Sequence, residues 1–170
     1  MDSLDTAQLT NTSYLAIRQY NFQQATLLVV EDQEDIWTLV RFSLSKYFPD
    51  VTLDRCANRK EAIAYLTDSM ANGTGLPKLI LQDLYLPQSE AGFGLVKDIR
   101  MLLLNQQQIP ILVMSSSVDE GDVRQAYHQG ASYYIVKPQT INNWLSLAQS
   151  LRQFWWEQGV LPLDGAVGNL

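Results

Sequence analysis

The 170-residue chain has one cysteine, Cys56, and one histidine, His128. A single thiol excludes an internal disulfide framework and a cysteine-based zinc site, and it fits a reducing, cytosolic setting. His128 sits on an expected helix before Gly130 with no companion ligand, so it reads as a surface residue rather than a catalytic one. Basic residues are also few: 12 Lys and Arg stand against 18 Asp and Glu, a net charge of −6. That balance argues against a nucleic-acid partner, because sequence-independent binding needs a positive surface. It suits a site that holds a cation. No stretch approaches the roughly 20 apolar residues of a membrane span. Met1-Asp-Ser-Leu-Asp5 lacks the basic start and apolar run of a signal peptide. A 46% hydrophobic and 18% charged composition places the chain among globular rather than disordered sequences.

What the chain does have is five short apolar runs, each followed by a helical pattern. Residues 26–31 run Thr-Leu-Leu-Val-Val-Glu and pass into the acids Asp32, Glu34 and Asp35. This predicts a strand, then a helix start where acids complement the dipole. Apolar residues recur near helical period at Ile36, Leu39, Val40, Leu44 and Tyr47, before Pro49-Asp50 ends the helix. Val51–Ala57 reads as a second strand with Cys56 turned inward, and Asn58 as the cap of a helix through Leu66 that breaks at residues 72–75. Pro77 to Asp83 is the third strand, Gln88–Gly92 a loop, and Phe93–Asn105 a helix. Ile109–Met114 is the fourth strand, Asp119–Gln129 a helix stopped by Gly130, and Ser132–Val136 the fifth strand. Ile141, Trp144, Leu145, Ala148, Leu151 and Trp155 mark a last helix ending near Gly159. Trp144 and Trp155 fit its inner face; Leu151, Phe154 and Trp156 are expected to form an exposed apolar patch. The predicted division is an N-terminal arm over 1–24 with a short helix near 12–20, one domain over 25–157, and a tail over 158–170. Strand–helix repeated five times with short loops forces parallel strands and right-handed crossovers, an α/β fold.

The strand ends carry the chemistry. Glu31 and Asp32 follow the first strand, Asp83 the third, Ser115 and Ser116 the fourth, and Lys137 the fifth. In open parallel sheets, ligands gather at that edge. Each residue has a plain alternative: the acids as helix-start residues, Asp83 as a turn cap before Pro87, the serines as loop, Lys137-Pro138 as a surface turn. Jointly they say more. Three carboxylates that close repel one another, and some take up protons unless a cation is present. Oxygen-only ligands of like charge suit Mg²⁺. A lysine and a hydroxyl nearby would hold a phosphoryl group on a carboxylate, and aspartate serves as a phosphoryl-accepting nucleophile.

Four stretches resemble the receiver domains of two-component response regulators: Leu-Leu-Val-Val-Glu31-Asp32, Leu-Ile-Leu-Gln-Asp83-Leu-Tyr-Leu-Pro87, Ile109-Pro-Ile-Leu-Val-Met-Ser115-Ser, and Gly130-Ala-Ser-Tyr-Tyr-Ile-Val-Lys137-Pro138. They cover about residues 25–156 in the family's order. The resemblance implies a flavodoxin-like, doubly wound five-stranded parallel sheet in strand order 2-1-3-4-5. It implies that Asp83 accepts a phosphoryl group from a phosphohistidine of a sensor histidine kinase. It places Mg²⁺ on Asp32, Asp83 and the Tyr85 backbone carbonyl, with Glu31 acting through water. Ser115 matches the switch hydroxyl, Lys137 the phosphate-binding lysine, and Tyr134 the mobile aromatic. The implied protein is a cytoplasmic phosphorylation switch without a DNA-binding domain, working through protein contacts. The face of the fourth helix, fifth strand and fifth helix is the expected homodimer surface. The segment Phe154-Trp-Trp-Glu-Gln-Gly-Val-Leu-Pro-Leu looks like the small receivers that partner cyanobacterial phytochromes, which implies a phytochrome as the kinase.

Two departures stand out. The Gln88–Gly92 loop reads as one residue longer than the family pattern, with Gly92 in the place of its glycine. Tyr85 is a bulky side chain two residues past Asp83, expected to shield the acyl phosphate and slow self-dephosphorylation. Tyr85 also stands where aspartyl-phosphate phosphatases carry a second Asp, which argues against that class. Glu31 and Asp32 would repel the phosphate of a flavodoxin-type cofactor. An unphosphorylated scaffold or dimerisation module is the remaining alternative.

Overall fold

Residues 25–86, 90–104 and 109–157 are described by the computed structural model. Five strands, β1 (Thr26–Val30), β2 (Thr52–Cys56), β3 (Leu79–Asp83), β4 (Ile111–Ser115) and β5 (Tyr133–Val136), form one sheet in the order β2-β1-β3-β4-β5. Every pairing is parallel. The helices are α1 (Glu34–Tyr47), α2 (Arg59–Asn72), α3 (Glu90–Leu102), α4 (Glu120–His128) and α5 (Ile141–Ser150). This is the flavodoxin-like, doubly wound fold that the strand–helix alternation and the resemblance imply.

Alternation along the strands assigns each helix its side, since residues two apart share a face. Leu27, Val29, Leu79, Leu81, Leu112 and Met114 pack with Val40, Leu44, Trp144 and Ala148 of α1 and α5. Leu28, Val30, Ile80, Ile111 and Val113 pack with Ala62 and Leu66 of α2, Leu95 and Ile99 of α3, and Ala126 of α4. The central strands are covered on both sides, which is why they read as near-continuous apolar runs. The register then sets the site. Val30 pairs with both Cys56 and Gln82, Asp83 with Met114, and Ser115 with Val136. The residues just past those positions leave the sheet at one edge.

Local signals fix the helix ends. Asn58 Oδ1 accepts the Glu61 N–H at 3.0 Å, and Glu61 Oε2 accepts the Ala57 N–H at 2.8 Å, a reciprocal arrangement close to a capping box. Asp119 caps α4 through the N–H groups of Gly121 and Asp122. Gly130 follows α4 with φ +102°, a backbone that side-chain-bearing residues rarely adopt. Cys56 is buried as expected, and burial, helped by Glu61 and Asp54, pushes its thiol up to about 11. At the outer edge of β5, the Tyr127 hydroxyl of α4 accepts the Tyr134 N–H at 3.3 Å. No described helix is long and apolar enough to cross a membrane.

Three expectations need correction. Helix α3 begins at Glu90, not Phe93, so Glu90–Gly92 are helical rather than loop. Within that helix, position 92 needs a glycine, because a Cβ there would overlap the carbonyl of Leu84. The last helix does not stay α-helical: Leu151–Trp156 winds as a π-helix. There Arg152 donates to Glu157 Oε1 at 2.9 Å and to the Tyr47 carbonyl at 3.2 Å. Finally, Leu151 packs on the core between α1 and α5, so it does not join Phe154, which is 78% exposed, in an outer patch. The arm over 1–24 with its helix near 12–20, Gln88 and Ser89, Asn105, Gly159 and the tail over 158–170 lie outside the described residues, as do the side chains of Trp155 and Trp156.

Candidate functional site

The first strand of the sheet delivers two acids because β1 is apolar to Val30 and α1 starts only at Glu34. Glu31 keeps one ladder bond, its N–H donating to the Cys56 carbonyl at 3.0 Å, and its side chain is fully buried. Its Oε1 accepts the Gln33 N–H at 3.1 Å, and its Oε2 accepts from Lys137 Nζ at 2.8 Å. Asp83 closes β3 and is 1% exposed. Its Oδ1 lies 3.1 Å from Lys137 Nζ and accepts the Tyr85 N–H at 3.3 Å. Lys137 itself is 7% exposed, so one buried ammonium bridges two buried carboxylates.

Glu31, Asp32 and Asp83 each bring a carboxylate oxygen within 4.8 Å of the other two. Burial pushes the Glu31 carboxyl above the usual carboxylate range; the Lys137 hydrogen bond opposes that rise and the Asp83 charge adds to it. One ammonium therefore does not neutralise three acids. Asp32 Oδ1 and Asp83 Oδ2 are buried and have no hydrogen-bond partner among the described residues. Buried anionic oxygens need a compensating donor or cation. An all-oxygen donor set with two such oxygens fits a hard divalent cation.

The second half of the site is a hydroxyl network. Ser115, fully buried at the end of β4, accepts the Ser117 N–H at 3.0 Å through its hydroxyl. Tyr134, half-buried on β5, donates its hydroxyl to the Ser117 carbonyl at 3.0 Å. Ser117 thus joins the two expected switch residues, whereas Ser116 is exposed. Tyr85 is 41% exposed and donates its hydroxyl to Asp122 Oδ2 of α4 at 2.5 Å. Hydrogen bonds from Ser117 and Tyr85 hold the Asp122 carboxyl below the usual range, and the bond to Asp122 raises the Tyr85 hydroxyl. His128 is exposed at the end of α4, as expected.

Sequence reading missed two supports. Arg55 appears in it only as a strand residue, yet its guanidinium reaches the carbonyls of Glu31 and Asp32 at 2.9 and 3.0 Å. Gln82 stands in the third strand with no role assigned to it, yet its buried amide donates to the Gly92 carbonyl at 2.6 Å and ties β3 to α3. A polar residue inside a buried strand was the available signal for Gln82; nothing in the sequence marks Arg55.

A family model of the response regulator receiver domain matches residues 27–149, more than two thirds of the chain. The chain belongs to the response regulator receiver family. Among curated relatives, this receiver is 28% identical over 137 residues to the response regulator Rcp1 of Synechocystis sp., covering 80% of the chain and 92% of Rcp1. It is 25% identical over 138 residues to the probable methanogenesis regulatory protein FilR2 of Methanothrix harundinacea, covering 80% of the chain and 88% of the relative. The Mn²⁺-bound form of Rcp1 superposes with a TM-score of 0.70 at 27% identity, covering 82% of this receiver and 99% of Rcp1. The phosphorylated cyanobacterial phytochrome response regulator RcpA superposes with a TM-score of 0.73 at 25% identity, with the same coverage. As a receiver, the chain is a two-component signalling module rather than a conventional enzyme.

Proposed function

We propose that this receiver accepts a phosphoryl group on Asp83 from a sensor histidine kinase and signals by protein contact. The carrying observation is the buried Asp83–Lys137–Glu31 arrangement beside the unpartnered Asp83 Oδ2. Asp83 acts as the nucleophile: the bond from phosphorus to the donor histidine breaks as one to an Asp83 oxygen forms. Lys137 already holds the other carboxylate oxygen and is placed to follow the charge onto the phosphoryl group. Asp32, Asp83 and the Tyr85 carbonyl would hold Mg²⁺ in this reading, with Glu31 acting through water. Bound there, Mg²⁺ supplies the positive charge that lets an anionic donor approach three carboxylates.

Ser115 and Tyr134 read the modification. Both hydrogen-bond Ser117, so a Ser115 hydroxyl drawn toward a phosphorylated Asp83 releases the Ser117 N–H and disturbs the Tyr134 bond. That couples the acceptor to the β5 surface as a shift between two arrangements. Tyr127, Tyr133, Val136 and Ile141 are exposed along α4, β5 and α5, which supports this face as a homodimer surface. Light scattering is expected to give a dimer mass with a phosphoryl mimic; a monomer mass with and without it would remove the dimer. The likeness to Rcp1 and RcpA supports a phytochrome-type kinase as donor and a cytoplasmic setting, with residues 25–157 as the receiver body and 1–24 as an arm.

The test is phosphotransfer. With acetyl phosphate or a phosphorylated kinase and Mg²⁺, the wild type is expected to gain the mass of one phosphoryl group, and Asp83→Asn none. A wild type that stays unmodified with both donors would make the protein a scaffold. Tyr85 adds a second expectation. Its backbone N–H donates to a nearly inaccessible Asp83 and its hydroxyl is tethered to Asp122, so we expect the ring to slow the approach of water to an acyl phosphate. Tyr85→Asn is expected to lose phosphate on the order of tenfold faster, a barrier change of about 1.4 kcal/mol. Tyr85→Phe, which keeps the ring and drops the bond, should fall between. Equal decay rates in all three proteins would count against shielding.

A further inference from the structure

The acidic turn after β1 lies against a side chain that none of the proposed chemistry uses. Arg55 stands on β2, paired with Val29 in register, so its side chain projects along the last turn of β1. Three of its donors are engaged. Nε donates to the Glu31 carbonyl at 2.9 Å, Nη2 to the Asp32 carbonyl at 3.0 Å, and Nη1 to the Glu34 carboxylate at the start of α1. The guanidinium also lies 5.8 Å from the centre of the Trp37 ring, on the first turns of α1. Trp37 is nearly buried, so the stack gives the fork a rigid floor.

These contacts address the backbone of the two acids, not their side chains. Between the end of β1 and the start of α1, the Glu31 and Asp32 peptides belong to neither regular element. Without a partner their planes could rotate and turn the carboxylates away from Asp83. A planar guanidinium bonded to two successive carbonyls fixes both planes at once, which a lysine cannot do. Charge is not the whole effect: Glu34 pairs with Arg55 and offsets part of its charge, while the two carbonyl bonds act on backbone geometry.

We infer that Arg55, seated on Trp37, is the positioning residue that presents Glu31 and Asp32 to a divalent cation. The inference rests on the proposed metal-assisted phosphoacceptor site and concerns how tightly that site is preorganised. Outer partners that orient metal ligands typically contribute about 10- to 100-fold in affinity.

The experiment measures Mn²⁺ affinity of the full chain from the electron paramagnetic resonance signal of the free ion. Wild type, Arg55→Lys, Arg55→Gln and Asp32→Asn are compared, with urea unfolding of each. Both Arg55 variants are expected to bind Mn²⁺ at least about tenfold more weakly. Arg55→Lys separates the fork from the charge and has the better prospect of native stability. In acetyl phosphate assays, Arg55→Lys should raise the Mg²⁺ concentration for half-maximal rate while leaving the rate at saturating Mg²⁺ within about twofold, equivalent to less than about 0.5 kcal/mol in barrier. Lower stability with Mn²⁺ affinity unchanged in both Arg55 variants, while Asp32→Asn loses binding, overturns the positioning role and leaves the metal site standing. Unchanged affinity in Asp32→Asn as well overturns the metal site itself, and the inference with it.

Discussion

Lys137→Met is expected to destabilise the receiver by about 3 kcal/mol near neutral pH without divalent cations. The lysine is almost fully buried and reaches Glu31 Oε2 at 2.8 Å and Asp83 Oδ1 at 3.1 Å. Methionine fills a similar volume, so the loss is electrostatic rather than a cavity. Three clustered carboxylates would then have no internal counter-charge. The cost has a ceiling, because burial already raises the Glu31 carboxyl and losing the Lys137 hydrogen bond raises it further, so proton uptake there can offset part of the charge. Urea unfolding with and without Mg²⁺ checks the argument, with the Mg²⁺-saturated protein expected to lose less. Adding Asp83→Asn should restore part of the stability, since the two residues are in contact and their effects are not additive. A loss below about 1 kcal/mol without Mg²⁺ would show that the carboxylates adjust by proton uptake alone.

Gly92→Ala is the second substitution with a large expected effect. Its Cβ would fall on the Leu84 carbonyl, which is backbone and cannot rotate away. Either the first turn of α3 lifts from the sheet or the chain after Asp83 shifts. Both disturb the acceptor, because Leu84 follows it directly and its N–H is held by the Met114 carbonyl at 2.8 Å. The bond from buried Gln82 to the Gly92 carbonyl strains with it. We expect a loss of about 2 kcal/mol or more, at the upper part of the overpacking range, together with weaker Mn²⁺ binding. A Gly92→Ala protein with wild-type stability and affinity would show that α3 can move freely at this end.

The strands were legible because burial on both faces leaves few choices of residue. Leu27 to Val30, Leu79 to Leu81 and Ile111 to Met114 are apolar throughout, and each run gives way to polar residues at the C-terminal end of its strand. The site followed from that, since Glu31, Asp83, Ser115 and Lys137 stand at or just past the C-terminal ends of β1, β3, β4 and β5, with Asp32 next to Glu31. The start of α3 was not legible: glycines usually signal loops, whereas Gly92 is a glycine inside a helix at a point where the Leu84 carbonyl leaves no room for a side chain. In the π-helical end of the last helix, Arg152 reaches the Tyr47 carbonyl, 105 residues away in sequence. Arg55 and the Tyr85–Asp122 bond are likewise long-range pairings. Periodicity reports which face is buried, not which distant partner a polar tip will find.

The Tyr127 hydroxyl on the Tyr134 N–H has a consequence for solubility. β5 is an edge strand of only four residues, the kind of boundary where a foreign chain can add itself by main-chain pairing. With that donor already occupied by a side chain of the same molecule, an approaching strand meets a phenol instead of a free N–H. The bond therefore removes one main-chain donor from the β5 edge, which weakens that edge as a template for strand addition while leaving its exposed aromatic side chains free for contact.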